Sequence, residues 1–399
     1  MRQLVMGHFR PLQQKIHFKA TLRFKEKSSV NQAFATSSLD SSPETTRFGS
    51  GKSVKRLEDQ QLLLGAGQYT NDVTLPGQSY LVFLRSPYPH AKITRLDTIA
   101  AKAMPGVYGL ITGQDLLVAG VKPMARPMNF KRADGGALSS TTRYPLATDT
   151  VRFVGEPIAA VVADTEENAR NAAEAIQIEF DPLQSASTLA DALAPNAPLF
   201  TEAPDNRVAE TRYGDIAATQ AAFAQAAHVV HLDIVNQRVA ALAIEPRSVL
   251  AYPENGRLTI RMSTQMPSGV RTTVSDLIGI DKEKVRVLVG DVGGGFGMKT
   301  GAYAEDVVTA FCAHTLARPV KWIADRSEEF LSSAHGRDIQ TKASLALAQD
   351  GKILGLRIET LANVGAYPTM TGLAIQCSLA LGCKAVCMTF KPLITTSRA

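Results

Sequence analysis

The chain has 399 residues, 45% of them hydrophobic and 20% charged, enough to bury sizeable cores in about two or three domains. Charges, Gly or Pro interrupt every apolar run before it reaches the roughly 20 residues that a membrane-spanning helix needs, which excludes a membrane span and points to a soluble, cytoplasmic protein. The net charge of +6 invites a nucleic-acid partner, but eight Lys or Arg against three Asp or Glu between Met1 and Arg47 supply +5 of it, so the body is electrically ordinary and that partner is excluded.

That front segment, residues 1–47, is basic, rich in Ser and Thr and without sustained apolar periodicity, and reads as a disordered leader. An organellar transit peptide, or a start codon placed too far upstream, gives a similar composition, and the sequence leaves these readings open. From Arg152, FVGEPIAAVVAD is β-rich. DTEENARNAAEAI then places Ala169, Ala172, Ala173 and Ile176 at helical spacing behind a cap at Asp164 with Glu167, and IQIEFDP alternates apolar and polar residues. This strand, helix and strand form a scaffold without chemistry of its own. The pattern is complete between Ser53 and Asp181, so that stretch is expected to fold independently.

Between Leu183 and Glu210 the composition shifts to Ala, Pro, Ser and Asn, which marks a domain connection. PRSVLAYPENGRLTIRMSTQ predicts two strands turning at Asn255 and Gly256, the second ending near Gln265. VRVLVGDVGGGFGMKTGAYAEDVVTAFCAHTLARPVKWIADR predicts a buried strand, a glycine-rich turn, an amphipathic helix and a strand opened by Pro319. In KASLALAQDGKILGLRIET, alternation at Ala343, Leu345 and Leu347 before Asp350 and Gly351 predicts a second hairpin.

The run Gly293-Gly294-Gly295-Phe296-Gly297 costs backbone entropy, which a chain tolerates where the backbone takes unusual dihedrals or lies close against something. At a strand end opening onto a helix, such a loop also presents N–H groups to phosphate or other anionic oxygens. Register rules out two phosphate motifs. The phosphate loop of nucleoside triphosphatases and the dinucleotide fingerprint both need Gly where Met298 stands. Anionic ligand and close backbone packing both stay open on these residues alone. Cys377, Cys383 and Cys387 cluster late, but they lack paired C-x-x-C spacing and a neighbouring His, so no metal site is assigned.

The run GDVGGGFGMK, with STQMPSGVR before it and WIADRSEEFLSSAHGRD and NVGAYPT after it, resembles the first molybdenum-cofactor domain in the large subunits of molybdenum hydroxylases. That family includes xanthine dehydrogenase, aldehyde oxidase and carbon monoxide dehydrogenase. FGSGKSVKRLEDQQLLLGAGQYTNDV, SPYPHAKI and VRFVGEPIAAVVAD resemble the α/β hammerhead domain that precedes it. The resemblance covers Arg47 to Gln376 and implies an α+β chain. Its parts are a hammerhead domain over 48–185 and a mixed α/β first molybdenum-cofactor-binding domain over 186–376, its pocket incomplete. Residues 377–399, CSLALGCKAVCMTFKPLITTSRA, continue no family motif and read as an aberrant tail on a truncated chain. A frameshift explains this tail; a divergent genuine end is the alternative.

The resemblance implies a molybdopterin-dependent oxidoreductase that hydroxylates an aldehyde or N-heterocycle, or oxidises carbon monoxide, with water as the oxygen source and molybdenum–molybdopterin as cofactor. Gln265 matches the glutamine that reaches toward the oxo group on molybdenum, and an amide donor suits that task without adding charge. Phe296 and Gly297 match the pair beside the metal centre, and Gly294 and Gly295 the residues that let the pterin approach. No residue is assigned as catalytic or as a metal ligand, because the family's glutamate base lies beyond the part resembled. His335, Arg337, His90 and Glu156 are read as structural, with Arg337 anchoring a helix end or pairing with Glu328 or Glu329. In the family, electrons leave through an iron–sulfur small subunit and an FAD-binding medium subunit, so these partners and a small-molecule substrate are implied. The competing reading is a non-catalytic remnant unable to bind cofactor alone.

Overall fold

The computed structural model describes residues 56–125, 130–198, 200–369 and 372–373, and the backbone of strand Val386–Leu393. The expected leader, residues 1–47, lies outside the described residues, as do the side chains of Cys377, Cys383 and Cys387. All elements below belong to the unit Gln61–Ala399.

A seven-stranded sheet runs in the order Val285–Leu288, Arg257–Met262, Ser248–Glu254, Val320–Ile323, Ser79–Arg85, Pro157–Ala163 and Val107–Thr112. The expected hairpin is present, with Asn255 and Gly256 at φ 48° and 72°, the left-handed values that a tight turn requires. Strand Pro157–Ala163 is apolar throughout because all seven residues are buried, so neither face needs polar alternation.

This sheet crosses the boundary between the two expected domains. Ser79–Arg85 pairs with Pro157–Ala163 on one side and, in parallel, with Val320–Ile323 on the other. Ser79 reinforces the junction by donating through both N and Oγ to the carbonyl of Pro319, at 2.9 and 2.7 Å. One core holds Leu81, Phe83 and Leu116 with Val249, Val307 and Trp322, the Phe83 and Trp322 rings meeting edge-on at 5.7 Å. The expectation that 53–181 folds independently therefore needs correcting: its central strand is completed by residues more than 200 positions later.

Two further expectations change. The strands flanking helix Glu166–Glu174 do not share a sheet, since Gln177–Pro182 pairs with Ala91–Asp97 in a separate three-stranded sheet. The helix cap is Thr165, not Asp164. Thr165 has the extended backbone of a cap and accepts from Asn168 N at 3.1 Å, while Asp164 accepts from the Asn168 side chain. Ala169, Ala172 and Ala173 are buried, as their spacing predicts.

A five-stranded sheet follows in the order Thr211–Gly214, Val386–Leu393, Ile353–Asn363, Ile339–Leu347 and His228–Asn236. Its hairpin turns at Asp350 and Gly351, with Gly351 at φ 84°. Within residues 377–399, strand Val386–Leu393 inserts in this sheet, parallel to Ile353–Asn363. Helix Pro267–Ile278 was not among the expected elements. Pro267 opens it, Val270, Val274 and Leu277 bury one stripe, and Gly279 ends it in the left-handed conformation at φ 71°.

Candidate functional site

The glycine-rich loop does not join a strand directly to a helix. Strand Val285–Leu288 is a four-residue edge strand, and the next helix, Ala304–Thr315, begins well past Gly297. Its first turn carries Glu305 and Asp306, and the Asp306 carboxylate accepts from Tyr303 N at 2.8 Å. That helix end is thus already capped by Asp306, with Glu305 held by Arg85 and Arg247, and is no anion site.

The loop folds over two side chains. A Cβ on Gly293 would stand 2.5 Å from the Cβ of Glu245, and one on Gly295 would stand 2.6 Å from Cδ of Gln265. These two glycines answer to close packing rather than to conformation. Phe296, at φ 50°, is a bulky residue in the left-handed region, and it is 74% exposed. The backbone therefore carries strain here while presenting the ring outward.

Gln265 joins this loop. Its Oε1 accepts from Gly297 N at 3.0 Å, and its own backbone N donates to the carbonyl of Lys299 at 2.8 Å. Accepting through oxygen fixes the amide orientation, so Nε2 is left as an outward donor. Gly293 N is also taken, donating to Glu245 Oε2 at 2.9 Å. The N–H groups of Gly294, Gly295 and Phe296 make no hydrogen bond among the described residues. The structure thus brings together all five expected residues, Gln265, Phe296 and Gly297 exposed and Gly294 and Gly295 half-buried.

Beneath the loop lies a buried support that the sequence reading did not name. Glu245 Oε2 accepts from Gly293 N, from Ser263 Oγ at 2.6 Å and from Lys299 Nζ at 3.3 Å. Lys299 also donates to Ser263 Oγ and to the Glu245 carbonyl, each at 2.8 Å. Its side chain is only 1% exposed, so the ammonium is turned away from any phosphate, in keeping with the failed phosphate-loop register. Burial lowers its pKa, and Glu245 opposes that fall. Lys299 is visible in the motif GGGFGMK, but nothing local in AIEPR marks Glu245 as its partner.

A second buried network ties the loop's helix to the sheet. Arg247 Nη1 donates to Glu305 Oε2 at 3.1 Å, its backbone N donates to Glu329 at 3.1 Å, and its guanidinium stands 3.9 Å over the Tyr303 ring. Burial pulls its pKa down, but Glu305, Tyr303 and Glu329 outweigh this and hold it above the ordinary guanidinium value. Arg85 reaches from its strand to Glu305 at 2.9 Å and to Glu328 at 2.7 Å. The expected pairing of Arg337 with Glu328 or Glu329 is thus replaced, because Arg85 and Arg247 occupy those carboxylates.

The other residues singled out are held by local bonds. His90 Nδ1 lies 2.7 Å from the Gln184 carbonyl, with burial lowering its pKa. Glu156 is buried and accepts from Arg152 N at 2.6 Å and from the Tyr367 hydroxyl at 2.7 Å, burial raising its pKa. His335 Nε2 lies 3.1 Å from the Phe330 carbonyl.

Residues 64–184 match the family model for the aldehyde oxidase and xanthine dehydrogenase a/b hammerhead domain, and residues 199–385 match that for the molybdopterin cofactor-binding domain. The second match runs past Gln376, where the sequence motifs stop. The chain is 36% identical to the nicotine 6-hydroxylase large subunit of Paenarthrobacter nicotinovorans, over 84% of this chain and 41% of that protein. It is 35% identical to the carbon monoxide dehydrogenase large chain of Hydrogenophaga pseudoflava, over 78% of this chain and 39% of that protein. Among solved structures, quinoline 2-oxidoreductase from Pseudomonas putida 86 superposes with a TM-score of 0.80 at 33% identity, covering 87% of this chain and 44% of that one. The chain spans about two fifths of the length of the curated relatives it matches. It belongs to the molybdenum hydroxylase large-subunit family, of which it spans the hammerhead and first molybdopterin-binding domains.

Proposed function

We infer that this chain supplies one wall of the cofactor pocket in a molybdenum hydroxylase, an oxidoreductase of small molecules. The observation that carries this reading is that Gln265 joins, through Gly297 N, a loop in which the N–H groups of Gly294, Gly295 and Phe296 make no hydrogen bond among the described residues. Unpartnered amide donors fit an oxygen-rich group, and at Gly297 nothing stands within 4 Å of where a Cβ would lie, so the backbone there is open to close approach. The donor set and the open backbone at Gly297 therefore fit molybdopterin.

When bound, that group supplies the two-electron oxidation of substrate with oxygen from water. The chain's own part is binding and orientation. Gln265 Nε2 would donate to the cofactor, its orientation set by Gly297 N. Glu245 and Lys299 hold the loop from below. The Glu245 carboxylate is engaged by four donors, Thr70 N, Gly293 N, Ser263 Oγ and Lys299 Nζ, so it is not offered to substrate as a base, and the proton acceptor is assigned to further large-subunit polypeptide. The substrate is an aldehyde, an N-heterocycle or carbon monoxide, and the electrons pass to iron–sulfur and FAD-binding partner subunits. A cytoplasmic location belongs to the same reading, supported by cysteine usage without a disulfide framework.

The test is made on the assembled enzyme, with the remaining large-subunit polypeptide and both partner subunits present. Because a Cβ at Gly295 would strike Gln265, Gly295→Ala and Gln265→Ala should lower retained molybdopterin to a similar degree, and the double variant should lose little more. Full retention of molybdopterin in both single variants would exclude this edge from the pocket.

A further inference from the structure

The run GAGQYTND stands at the front of the matched hammerhead domain and lies directly against the stem of the glycine-rich loop, 223 positions later in the chain. Gln68 N donates to Asp291 Oδ2 at 2.6 Å, and Asp291 N returns a bond to the Gln68 carbonyl at 3.2 Å. Arg261 Nη2, from strand Arg257–Met262, donates to the same carbonyl at 3.0 Å. Two positions on, Thr70 N donates at 3.4 Å to Glu245 Oε1, whose companion oxygen Oε2 holds Gly293 N. Glycine at 290 permits this approach, since a Cβ there would stand 2.5 Å from the Gln68 carbonyl oxygen.

The segment is itself held down. Tyr69 N donates to Asp72 Oδ2 at 3.0 Å, closing Thr70–Asp72 into a single 3-10 turn, and Lys321 Nζ donates to the carbonyls of Asn71 and Val73 at 2.7 and 2.9 Å. Lys321 is 3% exposed and lies on Val320–Ile323, the central strand of the seven-stranded sheet. A buried ammonium bonded to two carbonyls ties residues 67–73 to that sheet, and from there they reach the loop.

Among the described residues, the stretch 291–296 is hydrogen-bonded to distant parts of the chain at two positions, Asp291 and Gly293. Asp291 is bonded to Gln68 directly. Gly293 is bonded to Glu245, which Thr70 also holds. The place of the loop backbone is therefore set from the hammerhead domain as well as from the domain that carries the loop.

We propose that residues 67–73 are a strap by which the hammerhead domain positions the glycine-rich loop for molybdopterin, with Asp291 the positioning residue through which it acts. The proposal rests on the reading of the loop as a wall of the cofactor pocket.

In the 399-residue chain, hydrogen exchange at Gly293 N reports the loop without any cofactor. Asp291→Ala should speed that exchange about tenfold, as the loss of a hydrogen bond to a charged acceptor implies, while amides of the buried strand Pro157–Ala163 keep their rates. Asp291→Asn keeps an acceptor for Gln68 N and should stay close to the unsubstituted chain. In the enzyme assembled with the remaining large-subunit polypeptide and both partner subunits, Asp291→Ala should lower retained molybdopterin about tenfold, and Asp291→Asn should restore it. Gln265→Ala, measured beside them, separates the strap from the pocket. Full retention in Asp291→Ala with loss in Gln265→Ala overturns the strap alone; full retention in both overturns the loop's place in the pocket and the strap's role with it. Exchange that accelerates equally in Pro157–Ala163 makes the effect a general loosening and overturns the strap, as does an Asp291→Asn variant as deficient as Asp291→Ala.

Discussion

The seven-stranded sheet and the five-stranded sheet differ in how much of their chemistry is satisfied within the described chain. In the first, strand Pro157–Ala163 is wholly buried, and Arg85, Arg247, Glu305 and Glu329 answer one another's charges. In the second, the strand His228–Asn236 is exposed throughout and Ile353 is 63% exposed. The glycine loop stands between these conditions, with a buried underside at Glu245 and Lys299 and an open upper edge at Gln265 and Phe296. Stability is therefore expected to reside in the first sheet, and recognition in the loop's upper edge.

Substitutions can break this contrast, beginning with the largest effect. Arg247→Ala leaves Glu329 and part of Glu305 buried without their partner and should cost about 3–5 kcal/mol, read by urea denaturation. An equally stable variant would show that the network is not needed. A piece comprising residues 53–185 should lack a protease-resistant core, because Ser79–Arg85 would lose Val320–Ile323 and its share of the common core. Gly293→Ala drives a Cβ toward Glu245 and should cost roughly 1–3 kcal/mol as the loop shifts.

The pH dependence of Asp306 sharpens the same contrast. Burial raises its pKa from an ordinary value of 3.8 to about 7, with Tyr303 N opposing the rise. The folded state therefore holds this proton more tightly than the unfolded one. Its stabilising contribution is full below about pH 4 and fades as pH rises through about 7. Asp306→Asn keeps an acceptor for Tyr303 N and should flatten that decline, on the order of 1 to 3 kcal/mol between pH 4 and 7. An unchanged slope would mean that Asp306 titrates normally. The smallest effect is expected on the exposed sheet, where Ile353→Thr should change stability by no more than about 0.5 kcal/mol.

What the sequence disclosed divides along similar lines. The hairpins at Asn255-Gly256 and Asp350-Gly351 were legible because their turns are local chemistry. Helix Pro267–Ile278 carries equally local signals, Pro267, Gly279 and a stripe at Val270, Val274 and Leu277. The site residues were legible only through the order of motifs, since Gln265 by itself is a polar residue just past a strand. The sheet shared by Ser79–Arg85 and Val320–Ile323, and the closure of Glu245 over Gly293 and Lys299, depend on contacts across 240 and about 50 positions, for which no local pattern exists.

The most direct measurement is the molybdenum and pterin content of the 399-residue chain purified alone. Phe296 and Gln265 are exposed, so cofactor groups facing away from this wall would go unmatched, at about 1–3 kcal/mol each. The expected result is far less than one molybdenum per chain and no hydroxylase activity, with retention recovered when the remaining large-subunit polypeptide is supplied. Stoichiometric molybdenum with turnover of an aldehyde, an N-heterocycle or carbon monoxide by this chain alone would contradict the reading of the loop as one wall of a larger pocket.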